Sequence, residues 1–163
     1  MADADGDGRL EVMVREEWRD MVKVYECVGN DDLQLVSLLP NPTAGYNSII
    51  DLAVGEVDGD GRNEVVVLDE DCDLIVYESR GDDRYVLSWA GKGGEGTPIF
   101  LTLADLDGNG SEEVILGCLT SPTGSGPIFS LDLRALKMWR GGYRVAGEVE
   151  VAEVVRVSNA AGA

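Results

Sequence analysis

The chain is 163 residues long and carries 13 Lys plus Arg against 31 Asp plus Glu, with no His, for a formal net charge of −18. That length makes one domain or a piece of a larger one, and a 44% hydrophobic content excludes a disordered composition despite the acidity. Without His, triad hydrolases and most zinc enzymes fall away; the negative charge repels phosphate backbones and anionic headgroups, so nucleic acid and membrane surfaces are not expected partners.

From the N-terminus, glycine-rich acidic loops alternate with apolar segments of period two, the pattern of half-buried strands. Loop 1, DADGDGRLE at 3–11, runs into a strand at 10–14. A second strand follows in MVKVYECV (21–28), and after the turn GNDD a third in LQLVSLL (33–39). SIIDLAVGEV (48–57) leads into loop 2, EVDGDGRNE at 56–64, and the cycle repeats with strands at 64–68, DLIVYES (73–79) and, after the turn RGDD, RYVLSWA (84–90). The Arg80-Gly81-Asp82 tripeptide is read as part of that hairpin turn, not as an adhesion ligand. GKGGEGT (91–97) lacks the ending of a phosphate loop and reads as a connection between repeats. PIFLTLADL (98–106) then leads into loop 3, DLDGNGSEE at 105–113, followed by strands at 113–116 and 127–133. ALKMW (135–139) is open between strand and short helix, a last strand is placed at 148–157, and 158–163 reads as a frayed tail to a single repeat domain over 1–157. No apolar run reaches the ~18 residues of a membrane span, and the residues after Met1 are acidic, so neither a span nor a leader is expected.

The three loops begin at residues 3, 56 and 105, about fifty residues apart, close to the period of a four-stranded propeller blade. In each, positions one, three, five and nine carry side-chain oxygen: Asp3, Asp5, Asp7 and Glu11; Glu56, Asp58, Asp60 and Glu64; Asp105, Asp107, Asn109 and Glu113. Calcium takes six to eight hard oxygens, and alternating short carboxylates on a curled loop converge on one point. Glycine at positions four and six permits the curl through positive φ, and position seven (Arg9, Arg62, Ser111) would add its carbonyl. An EF-hand would need Glu at position twelve, where Val14, Val67 and Leu116 stand. Up to three Ca2+ sites are therefore expected. Cys27, Cys72 and Cys118 have neither CxxC spacing nor His, so they are read as small buried hydrophobes, with one disulfide plus a free thiol as the alternative.

On these loops, each followed by a strand (DGDGRLEVMV, DGDGRNEVVVL, DGNGSEEVILG), the chain resembles the FG-GAP/VCBS family of calcium-binding β-propeller repeats, as in the integrin α-subunit head. The likeness spans nearly all of 3–133 and lacks the Phe-Gly and Gly-Ala-Pro elements, so it is nearer the shorter VCBS-like variant. The resemblance implies an all-β fold of four-stranded antiparallel blades, about three of them. It also implies a structural role for calcium, pinning the loop between the first two strands of each blade. Three blades fall short of a closed ring of four to eight. A strand at 148–157 completing the first blade within a ring of two chains, a fragment of a longer polypeptide, and a small irregular closed structure all remain open.

The expected function is a non-enzymatic, calcium-stabilised module for protein contact or self-association. A carbohydrate-binding lectin of the same architecture, with Trp18, Trp89 and Trp139 as a stacking surface, is one alternative; a polysaccharide-active enzyme is another. Weak calcium sites fill at millimolar calcium, so an extracellular or cell-surface setting is preferred, with the cytoplasm as the alternative.

Overall fold

The computed structural model describes residues 1–16, 20–45, 48–120, 130–139 and 142–151. It is all-β: among the described residues eleven strands form three antiparallel meanders. Sheet 1 holds β1 (Glu11–Glu16), β2 (Met21–Gly29) and β3 (Asp32–Pro40); sheet 2 holds β4 (Ile49–Gly55), β5 (Glu64–Asp69), β6 (Asp73–Ser79) and β7 (Tyr85–Lys92). Sheet 3 holds β8 (Thr97–Ala104), β9 (Glu113–Thr120), β10 (Ser130–Trp139) and β11 (Gly142–Val151). The sheets pack face to face as successive blades, consistent with a partial propeller.

β5 shows what the stacking demands. Val65 and Val67 join Val22, Val24, Leu39, Ile75 and Tyr77 in a core between sheets 1 and 2. Val66 and Leu68, on the other face, join Leu74, Val76, Val114, Leu116 and Leu136 in a core between sheets 2 and 3. Every residue of β5 is buried, so the half-buried alternation expected there gives way to a continuous apolar run, as in a strand covered on both faces.

The segments ahead of loops 2 and 3 become β4 and β8, each paired with the strand after its loop, so each loop joins the first two strands of a sheet. In sheet 1 only a bridge from Ala2 to Glu11 stands at that place, equivalent to the Gly55–Glu64 and Ala104–Glu113 pairs. The structure narrows two readings left open above. Residues 135–139 lie in β10, where pairing with β9 and β11 overrides their helix propensity. Residues 148–151 are the end of β11, the outer strand of sheet 3, and so do not complete the first blade. The readings that fell on 127–129, 152–157 and the tail 158–163 lie outside the described residues.

The three cysteines are thiols, not disulfides. Cys72 and Cys118 are buried where sheets 2 and 3 meet, with their Sγ atoms 2.9 Å apart. Cys27 is only half-buried, on the face of sheet 1 turned away from sheet 2.

Candidate metal centres in the three loops

Each loop folds by satisfying its own backbone amides with its own side chains. In loops 1 and 3 position one accepts from the amides of the two glycines: Gly6 and Gly8 donate to Asp3 at 2.8 and 3.1 Å, and Gly108 and Gly110 to Asp105 at 2.8 and 2.9 Å; in loop 2 Glu56 accepts from Gly59 N and Asp60 N. Positions three and five accept from the amide two residues on, as when Asp7 N donates to Asp5 and Arg9 N to Asp7. The curl needs positive φ at all six glycines, which run from +73° to +93°. At position seven the amide is the group tied in: Arg9, Arg62 and Ser111 donate to Asp7, Asp60 and Asn109.

The closing glutamate fastens loop to strand. Glu11 Oε2 accepts from Ala4 N at 2.6 Å, Glu64 Oε2 from Val57 N at 2.8 Å, and Glu113 Oε2 from Leu106 N at 2.8 Å. All three glutamates are buried, at 1–2% exposure. Carboxylate oxygens of Asp3, Asp5 and Asp7, of Glu56, Asp58 and Glu64, and of Asp105, Asp107 and Glu113 lie within 4.8 Å of one another in each group. Asp60 is not part of such a group, and Glu11 groups with Asp7 and Glu26.

The second oxygens of these glutamates separate the loops. Glu11 Oε1 and Glu64 Oε1 are buried without any hydrogen-bond partner. Burial, reinforced by the neighbouring Asp carboxylates, pushes the Glu11 carboxyl up to about 6 and that of Glu64 up to about 8. In loop 3 the corresponding Glu113 Oε1 lies 3.3 Å from Lys137 Nζ, which also donates to Asp107 Oδ2 at 2.5 Å. That contact holds Asp107 below its ordinary value and raises Lys137. An orphaned buried carboxylate oxygen among further carboxylates suits a hard divalent cation, so loops 1 and 2 fit calcium; in loop 3 an ammonium already occupies that oxygen.

Sequence reasoning missed the residue across the sheet from each closing glutamate. β2 sets Glu26 opposite Glu11, and β6 sets Glu78 opposite Glu64. Both are buried, Glu26 held by Arg9 at 2.9 Å and Glu78 by Arg80 at 2.5 Å. The recurrence of Val-Tyr-Glu at 24–26 and 76–78 was the available signal. Only the antiparallel register shows what that Glu faces.

The loops lie side by side along one end of the stack. Asn63 Nδ2 donates to Asp3 O at 2.9 Å, Glu112 N to Glu56 O at 2.7 Å, and Ser111 Oγ to Glu56 Oε2 at 3.0 Å. The RGDD turn is a hairpin closed by Arg80 N to Arg84 O, and Asp83 N donates to Asp5 Oδ2 at 2.7 Å, which ties loop 1 to sheet 2. Trp89 is half-buried with its ring edge-on to Tyr143, their centroids 5.2 Å apart, as packing between sheets requires. Trp18 and the side chain of Trp139 lie outside the described residues.

A family model described as FG-GAP-like repeat matches the chain twice, over residues 3–67 and 56–116. The chain belongs to the FG-GAP-like repeat family. Each match begins at an acidic loop and runs into the strand after the next loop, which reproduces the repeat seen in the fold. No curated protein matches the chain.

Proposed function

We propose that this FG-GAP-like module is stabilised by calcium and acts by protein contact, not catalysis. The observation that carries the reading is the buried, unpartnered Oε1 of Glu11 and of Glu64. Asp3, Asp5, Asp7 and Glu11, with Glu26 beside them, would hold one ion; Glu56, Asp58 and Glu64 would hold another. A bound divalent cation would offset the repulsion among these carboxylates and fasten each loop to the strand that follows it. Such oxygen sites fill at millimolar calcium, which suits an extracellular or cell-surface setting. Calcium is therefore expected to raise the melting temperature by several degrees and chelator to reverse it, with Glu64→Gln removing a large part of the gain. An unchanged melting curve would sink the calcium reading.

The contact surface is the face of sheet 1 turned away from sheet 2. It presents Val12, Val14, Tyr25, Leu35 and Leu38, with Val14, Leu35 and Leu38 each about half exposed, at 45%, 46% and 50%. Val12, Val14 and Tyr25 are the repeat equivalents of Val65, Val67 and Tyr77, which in sheet 2 are buried against sheet 1. The occupant this implies is the outer face of sheet 3 in a second copy, where Ile115 stands in the place of Val66. Beyond the Ala2–Glu11 bridge, no described strand pairs with the outer edge of β1, so that edge is open to the same partner. Light scattering tests this directly. A dimer or larger assembly that Val14→Asp with Leu35→Asp returns to monomer supports the contact, and a monomer with and without calcium overturns it.

A further inference from the structure

The three loops are copies in sequence, yet the residue facing the closing glutamate across the sheet changes sign in the third. Glu26 pairs with Glu11 and Glu78 with Glu64. In sheet 3 the equivalent place, one residue past the Leu136–Val114 pair, holds Lys137. We propose that the Lys137 ammonium is the built-in cation of loop 3, so that the chain takes up two divalent ions, at loops 1 and 2, and none at loop 3.

Lys137 reaches two of the loop 3 oxygens expected to bind metal, Asp107 Oδ2 at 2.5 Å and Glu113 Oε1 at 3.3 Å. The cations near loops 1 and 2 do something different. Arg9 and Arg80 bond the cross-strand glutamates Glu26 and Glu78; Arg9 reaches one loop oxygen, Asp7 Oδ2, only at 3.9 Å, and the Oε1 of Glu11 and of Glu64 stays without a partner. Loop 3 also has fewer anionic ligands, because Asn109 stands where Asp7 and Asp60 stand in the other two. A divalent ion entering loop 3 would have to expel the ammonium from both carboxylates and leave it a few ångströms away, a like-charge contact that opposes binding. An ammonium supplies one charge and three donors without any ion from solution, so loop 3 keeps its shape when calcium is withdrawn.

The count of two rests on the calcium reading; the role of Lys137 rests on the geometry of loop 3. Native mass spectrometry and calorimetry with calcium alone are expected to count two ions on the wild-type chain and three on Lys137→Met. Asp107→Asn, made in the wild-type chain, is expected to leave the count at two, whereas Asp5→Asn lowers it. In chelator, Lys137→Met is expected to melt several degrees below wild type, because it strips Asp107 and Glu113 of the ammonium that faces them, and calcium is expected to restore that loss. Three ions on wild type, or two on Lys137→Met, would overturn the proposal while leaving the calcium reading intact. No ions on either protein would overturn the calcium reading and the count of two with it. A Lys137→Met melting temperature in chelator equal to that of wild type would overturn the counter-ion role whatever calcium does.

Discussion

In sheet 2, Val67 and Tyr77 are shut between strands of two sheets; in sheet 1 their repeat equivalents Val14 and Tyr25 look outward. The two sheets share the same acidic loop, the same glutamate at its end and the same Val-Tyr-Glu in the next strand. The difference lies in what covers them. Among the described residues, sheet 2 has a neighbour on both faces and sheet 1 on one, and the same contrast reaches the loops, where burial lifts Glu64 to about 8 but Glu11 only to about 6. Position in the stack, more than the local sequence, decides how much each side chain contributes.

The sharpest way to break this comparison is truncation at equivalent faces. Ile75 is fully buried between sheets 1 and 2, so Ile75→Ala is expected to cost about 2–5 kcal/mol in urea unfolding. In chain dilute enough to be monomeric, Val14→Ala, on the open face of sheet 1, is expected to cost less than about 0.5 kcal/mol. Equal losses would mean that the face of sheet 1 is covered in solution.

A pH series in chelator sharpens it at the loops. A carboxyl whose folded pKa is raised holds its proton more tightly folded than unfolded, so its contribution is fullest below its ordinary value of 4.5 and is lost as pH climbs to the folded value. Stability of the metal-free chain is therefore expected to fall from about pH 4.5 upward, with Glu11 complete near 6 and Glu64 continuing to about 8. Glu64→Gln is expected to remove the fall between about 6 and about 8, and Glu11→Gln to leave it. A flat profile in wild type would show that these carboxyls are solvated.

Smaller effects follow from single polar groups. The Tyr77 hydroxyl donates to Pro40 O, so Tyr77→Phe is expected to lose about 1 kcal/mol, while Tyr25→Phe leaves the urea midpoint unchanged. Smallest is a labelling difference without any change in stability. Cys27, half-buried on the open face, is expected to react with a thiol reagent in the folded monomer, and Cys72 and Cys118 only after unfolding.

Much of the molecule was legible in its residues. Alternation of period two marked β2, β3, β6 and β7 almost to their ends, because a strand's side-chain period is local. The Asp-Gly spacing of the loops fixed their curl, since glycine's freedom at positive φ and the reach of an Asp side chain to its neighbours' amides need no other part of the chain. Local sequence also supplied the oxygens of the three loops and the strand after each.

Contacts between strands distant in sequence were decided elsewhere. Residues 135–139 carry good helix formers, and only their place between β9 and β11 makes them a strand. Nothing local tells Val12 from Val65, yet one lies on an open face and the other in a core. Nor does the sequence around loop 3 show that a lysine 24 residues beyond Glu113 stands against it. Local sequence fixes backbone shape because turn and strand preferences act over a few residues. Which charge meets which, and which face stays dry, follows from strand register and sheet stacking, and those exist only in the folded whole.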